Sequence, residues 1–190
     1  MSNPQQATKV VIGPVRLSFL HIWEPTALEE GQEKKYSASL IIPKSQKQII
    51  ADCEKAINAA KEQGKTGTFG GKIPTANFKI ALRDGDIDRS EDEAYRGAMF
   101  INASARNQPG IVSGPGRTPV TKQDDVYSGC YAYVSINFYP FNKNGNKGIA
   151  AGLNHIWKVK DGEPLGSRST AESDFADVEV EFNDDDDFLN

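Results

Sequence analysis

Ten consecutive residues, Cys130 to Tyr139, alternate in character without a break, and that run constrains the fold of this 190-residue chain more than any other segment. Cys130, Ala132, Val134, Ile136 and Phe138 are apolar, and Tyr131, Tyr133, Ser135, Asn137 and Tyr139 stand between them. Successive side chains of a strand point to opposite faces, so the segment predicts a strand with one face in a core and a second, tyrosine-bearing face outside it. The turn Asn142 to Gly148, NKNGNKG, then leads into a further strand from Ile149 to Val159, and the two read as a hairpin.

The same logic finds the other strands. From Gly13 to Trp23, Val15, Leu17, Phe19 and His21 alternate with Arg16, Ser18, Leu20 and Ile22, a strand partly buried on both faces. Lys34 to Ile42 sets Tyr36, Ala38, Leu40 and Ile42 on one face and is stopped by Pro43. A short strand is expected at Phe78 to Arg83. Gly97 to Arg106 should bury Met99, Ile101, Ala103 and Ala105 and expose Phe100, Asn102, Ser104 and Arg106.

Between these strands the period changes once. Ile49, Ile50, Cys53, Ala56, Ile57 and Ala60 recur at three and four residues, with Ser45 available as N-cap and Gly64 as the stop, which predicts one amphipathic helix. Gly64 to Asn77 reads as a glycine-rich loop, Asp84 to Glu93 as an acidic loop, and Asn107 to Gly129 as a long loop too punctuated by Pro and Gly for regular structure. Five to seven strands without a βαβ rhythm point to a mainly β chain. The expected fold class is an OB-fold-like antiparallel β-barrel with one interposed helix and long loops.

Composition agrees with a loop-rich β domain. Hydrophobic residues make up 38% of the chain, enough for a core, while 17 Gly, 10 Pro and a mean hydropathy of −0.52 imply many turns. No apolar run approaches the roughly 18 residues that cross a bilayer. Cys53 and Cys130 lack CxxC spacing, and Met1 to Lys9 has no apolar signal core. A cytoplasmic protein with no membrane partner is expected.

Charge is segregated along the chain. Every one of the 22 Lys and Arg lies at or before Arg168, whereas nine of the 26 acidic residues follow it: Glu172, Asp174, Asp177, Glu179, Glu181 and Asp184 to Asp187. Seventeen acids against 22 bases leave residues 1–168 at a formal +5, and the remainder carries −9. Residues 1–168 are therefore read as the folded domain and 169–190 as a disordered acidic tail. A basic body suits a polyanionic ligand, and an acidic tail suits competition with that ligand or recruitment of another protein.

Several site chemistries are excluded by spacing. Gly71 and Lys72 fail as a phosphate loop because Thr66 stands where the first glycine is needed and Ile73 where Ser or Thr is needed; in the other register Ala59 takes the first glycine's place. Asp84, Asp86 and Asp88 fail as a calcium loop because Arg89 replaces the glycine and Tyr95 the bidentate glutamate. His21, His155 and the two cysteines sit in four separate segments, without zinc spacing. No catalytic motif is present, so neither an enzyme nor a cofactor is expected.

What the pattern does supply is a surface for single-stranded DNA. Binding without sequence preference needs aromatic faces on which bases stack and cations that follow the phosphates. Tyr131, Tyr133, Tyr139 and Phe100 are the candidate stacking residues, and Arg106, Arg117, Lys122, Lys143 and Lys147 the candidate phosphate contacts.

The segment Gly148 to Gly166, GIAAGLNHIWKVKDGEPLG, the long Pro/Gly loop, the strand YAYVSINFYPF and the terminal DDDDFLN together resemble bacteriophage-encoded single-stranded DNA-binding proteins from about Lys9 onward. The resemblance implies an OB-fold that protects exposed strands during replication or recombination in an infected bacterial cell. It also implies that the tail, through Asp184, Asp185, Asp186, Asp187 and Phe188, docks replication or recombination proteins such as a polymerase, helicase or nuclease. Phe188 departs from the pattern in standing third from the end, ahead of Leu189 and Asn190. Weaker duplex binding stays open at this stage. An alternative reading is an acidic DNA mimic whose tail occupies a partner's DNA groove; a nuclease is a third, disfavoured by the missing acidic cluster.

Overall fold

Wherever period-two alternation runs through the sequence, the computed structural model, which describes residues 4–165 and 175–179, has a strand. A helical turn α1 (Pro4–Ala7) precedes β1 (Lys9–Thr26), β2 (Lys35–Pro43) and the helix α2 (Lys47–Gly64). Two short strands, β3 (Phe78–Ile80) and β4 (Leu82–Asp84), lead through the turn α3 (Gly85–Asp88) to β5 (Ala98–Ala105). Then come β6 (Gly110–Ser113), β7 (Thr118–Pro119), β8 (Tyr131–Lys143) and β9 (Asn146–Lys160).

Five of the strands close on themselves. β1 pairs with β2, β2 with β5, β5 with β9, β9 with β8, and β8 again with β1. This is the five-stranded barrel of an OB-like fold. Four of the seams are antiparallel as expected, while β5 and β9 close the barrel in parallel through Ala103↔Ala151 and Ser104↔Gly152.

The core lies inside this barrel. Leu17, Leu40, Ile42, Ile101, Ala132, Val134, Ile136, Phe138, Ile149 and Ile156 are almost fully removed from water. Each large aliphatic side chain so buried stabilises the fold by about 1.5–3 kcal/mol before entropy is counted. α2 adds Cys53, Ala56, Ile57 and Ala60 to the same cluster, and burial pushes the Cys53 thiol up to about 12, leaving it an inert packing group. Gly64 lets the end of α2 close on β8, since a Cβ there would stand 2.6 Å from that of Pro140.

Several expectations need correction. Ser45 does not cap α2: the Pro43–Gln46 turn places Gln46 at the N-cap, with no side-chain capping bond. The expected strand Phe78 to Arg83 is two strands, because β3 runs parallel to β9 while β4 pairs with β5. The acidic loop is partly helical: the Asp84 and Asp92 carboxylates accept from the amides of Asp86 and Ala94 and so start two short turns. The long Pro/Gly loop holds the β6–β7 hairpin, with β6 extending the sheet beside β9.

β1 departs most from simple alternation. Its pairing with β2 slips between Ser18 and His21, where Phe19 takes a left-handed φ of 45°. This bulge reverses the phase of the strand. Val15 and Leu17 point inward, but Phe19 and His21 turn out and Ile22 takes the inward position, so that both alternating sets are partly buried.

Candidate nucleic-acid interface

The outer face of β1, β8 and β9 is built from rows fixed by strand register. One row runs Arg16↔Tyr131↔Lys160, and Tyr133↔Trp157 stand side by side in the row adjacent to it. Ser135 pairs with Val11 on one side and His155 on the other, and Asn137 with Lys9 and Gly152. The β8 residues alternate buried and part-buried without exception from Tyr131 to Phe138, which keeps these polar and aromatic side chains out of the core.

The aromatic centre of the face is the pair Tyr133 and Trp157, ring centroids 5.5 Å apart and 31° from parallel. Gly13 makes room for it, because a Cβ at that position would come within 2.7 Å of the Tyr133 ring. The Trp157 indole N–H donates to the Gly114 carbonyl at 2.8 Å, holding the β6–β7 turn against the ring. Arg117, in the left-handed conformation at φ 50°, then lays its guanidinium 4.9 Å from the Trp157 centroid. Such an arrangement couples a flat stacking surface to a cation that stays exposed.

Tyr131 is flanked by two more cations, Arg16 at 5.9 Å and Lys160 at 5.7 Å from its ring. Arg16 also donates to the carbonyls of Gly129 and Glu163, at 3.2 and 2.6 Å, and so ties residues 161–165 down beside the face. Leu165 continues this strap, its amide donating to Ser128 and its side chain packing against Ile41, Tyr95, Ala98 and Phe100. Lys158 pairs with Asp161 beneath the Tyr127 ring: burial pulls the Lys158 pKa down, but the Asp161 hydrogen bond and charge outweigh it and the net shift is upward. A cleft of about 510 Å³ opens beside the row, with Arg16, Arg96, Tyr131 and Lys160 in its walls.

The sequence-predicted residues fall into three groups. Tyr131, Tyr133 and Arg117 come together at the start of β8. Tyr139 is 38% exposed on the same face but eight residues further along, opposite Ala150, and Lys143 and Lys147 flank the turn at the far end of the hairpin. Arg106 follows β5, paired with Glu33 at 3.1 Å, and Lys122 is exposed in the loop before β8. Phe100 is a correction: it is fully buried. It does point away from the barrel interior, but Tyr95 packs edge-on against it at 5.1 Å and the segment carrying α3 covers it, so no base reaches the ring. The tail residues Asp184, Asp185, Asp186, Asp187 and Phe188 lie outside the described residues.

Reading the sequence missed Trp157, Arg16 and Lys160. The Asn144–Gly145 turn, both residues at positive φ, sets β8 against β9 in a register that would carry Ile156 opposite Tyr133. A bulge at Asn154 shifts the pairing by one and brings Trp157 there instead. Only the alternation of His155, Trp157 and Val159, read alone, gave a signal for the tryptophan.

A family model described as "Enterobacter phage Enc34, ssDNA-binding protein" matches residues 8–189. The chain belongs to this family. The resemblance to bacteriophage single-stranded DNA-binding proteins read from the sequence is thus established. Among solved structures, this Enc34-type chain is similar to the single-stranded DNA-binding protein of bacteriophage Enc34 in complex with ssDNA. There the TM-score is 0.75 at 26% identity, over 85% of this chain and 91% of that one. A second structure, of the single-stranded DNA-binding protein from bacteriophage Enc34, gives 0.70 at 24% identity, over 90% and 92%, a likeness of fold. Putative protein p50 of Acyrthosiphon pisum secondary endosymbiont phage 1 is 30% identical over 178 residues, covering 90% of this chain and 95% of that protein. The family is one of binding proteins by its description.

Proposed function

We propose that this chain binds single-stranded DNA along the outer face of β1, β8 and β9. Bases stack on Tyr131, Tyr133, Trp157 and, at the far end, Tyr139. Arg117, Arg106, Lys122, Lys143, Lys147 and Lys160 neutralise phosphates. The observation that carries the reading is the Tyr133–Trp157 pair with Arg117 stacked on it, an aromatic and cationic unit that leaves its cation exposed. Its Enc34 relative was solved with ssDNA, in the same fold.

The biological role is coating of exposed strands in phage replication or recombination, with duplex DNA bound more weakly. The acidic tail competes with DNA for the cationic face and recruits replication proteins through Asp184 to Asp187 and Phe188. Two features support the tail's part: nine carboxylates follow Arg168, and the strap at Glu163 to Leu165 leaves the barrel beside Arg16. A tethered competitor acts at high effective concentration.

Tryptophan fluorescence with unstructured oligonucleotides at several salt concentrations tests the reading. Quenching, with log affinity falling against log salt by about 0.7 per phosphate neutralised, is the expected result. An acidic DNA mimic gives no quenching, and an affinity independent of salt overturns the phosphate track.

A further inference from the structure

The strip has a second cleft between the aromatic centre and Tyr139, and its chemistry differs from that of the aromatic centre. It holds about 610 Å³ where β5 and β9 part, and Lys9, Arg106, Asn107, Asn137, Asn154 and His155 line it without any carboxylate. We propose that this cleft is a base-reading subsite, in which one nucleobase of the bound strand, adenine in preference, is held by its polar edge. The proposal rests on the DNA-binding reading above, and it adds a base preference that stacking alone does not produce.

The side chains are arranged for this by two backbone features. At Gly152 a Cβ would stand 2.6 Å from the Asn137 Oδ1 atom, so glycine there lets the Asn137 carboxamide lie flat across β9. The bulge at Asn154 brings two neighbouring side chains, Asn154 and His155, to the wall of one cleft, as bulges beside functional sites do. Asn154 uses its amide nitrogen on Ser135 at 3.4 Å, which leaves its carbonyl oxygen for a ligand. His155 Nδ1 accepts the Gly110 amide at 3.1 Å, so the neutral ring carries its proton on Nε2 and offers a donor.

The cations tell in the same direction. Arg106 reaches the phosphates from an exposed pair with Glu33, and Lys9, opposite Asn137 across the sheet, is the cleft's cation without an ion-pair partner among the described residues. Two cations at the rim of several neutral donors and acceptors suit a short stretch of backbone and one base edge better than a run of phosphates. A carboxamide presents a donor and an acceptor side by side, the pattern that adenine matches through its 6-amino group and a ring nitrogen. Aromatic platforms, by contrast, tolerate every base because each has a π-face.

The test compares oligodeoxyadenylate with an oligonucleotide of equal length built from unsubstituted purine, which keeps the two-ring stack and lacks the 6-amino group. Wild-type protein is expected to bind the adenine strand about fivefold or more tighter, the size of one bidentate base contact. Asn137→Ala and Asn154→Ala are expected to bind the two oligonucleotides alike. Equal binding of both by the wild type overturns the proposal, as does discrimination that survives in both variants. If Asn137→Ala melts early, Asn154→Ala and Asn107→Ala, the latter on an exposed loop, carry the test. Trp157→Ala should weaken both strands equally; if it weakens neither, the stacking strip fails while the comparison of the two purines still decides the cleft.

Discussion

Phe100 and Tyr133 occupy equivalent positions by the rules of a strand and meet opposite fates. Each is aromatic, lies on the outer side of a barrel strand and alternates with core residues. Tyr133 stays part-exposed beside Trp157, whereas Phe100 lies at 0% exposure beneath Tyr95 with Arg83 and Arg89 over its ring. Alternation decides which way a side chain leaves the barrel. Whether water or another segment meets it there is decided by chain distant in sequence, here the stretch from α3 to Tyr95. A buried aromatic contributes to stability, and an open one is left available to a ligand.

Truncation should separate the two sharply. Phe100→Ala removes a ring from a closed cluster and should cost about 3–5 kcal/mol of folding stability, read by denaturant unfolding. Near-wild-type stability together with lost DNA affinity would break the comparison, since it would make Phe100 a contact after all. Tyr133→Ala or Trp157→Ala should leave the melting behaviour little changed and weaken DNA binding by about 1–3 kcal/mol per stacked base. Wild-type affinity in the double variant would remove this face from the binding surface.

A smaller effect sharpens the picture from the side of charge. Deleting Ala171 to Asn190 should tighten oligonucleotide binding up to about tenfold at low ionic strength and much less at 0.15 M, where the Debye length is about 8 Å. Equal affinities at both salt concentrations would leave the tail no role as a competitor.

The smallest expected effect belongs to the covering segment over Phe100. Lys44 bridges Asp84 and Asp86 at 2.9 and 2.8 Å, and its hydrogen bond with Asp86, joined by the Gly97 amide, holds the Asp86 carboxyl below its ordinary 3.8. The folded-state pKa is depressed, so the stabilisation is complete above the unfolded value and is lost as pH falls through the folded one. Asp86→Asn should therefore lower stability slightly at pH 7, converge on the wild type well below about pH 4, and so flatten the acid-side loss in thermal melts. Because the pair is exposed, a large loss at neutral pH would show that Asp86 does more than hold this segment in place.

Much of the fold was legible because hydrophobic alternation is a local signal with a local cause. β8 matched from Tyr131 to Phe138, β2 began and stopped within a residue of expectation, and the apolar spacing of α2 named the buried Cys53, Ala56, Ile57 and Ala60. Of the candidate face, Tyr131, Tyr133 and Arg117 were named from the sequence and lie together in the structure, the tyrosines placed by parity and the arginine by a punctuated loop. Trp157 and Arg16 were passed over because nothing near them in sequence says which strand they will stand beside.

By itself, then, the amino-acid order determined most of the barrel strands, the inward face of β8, the long helix α2, and the segregation of a formal +5 over residues 1–168 from −9 beyond, since each depends only on neighbours a few positions away or on a count. The tertiary structure alone decided three things. Closure through the parallel β5–β9 pair put Arg106 and His155 on one cleft. The bulges at Phe19 and Asn154 turned Phe19 outward and set Trp157 against Tyr133. The stretch from Arg83 to Tyr95 took Phe100 out of reach of solvent. One inserted residue reverses the facing of everything beyond it in a strand, and no count of apolar positions records where the backbone will insert it.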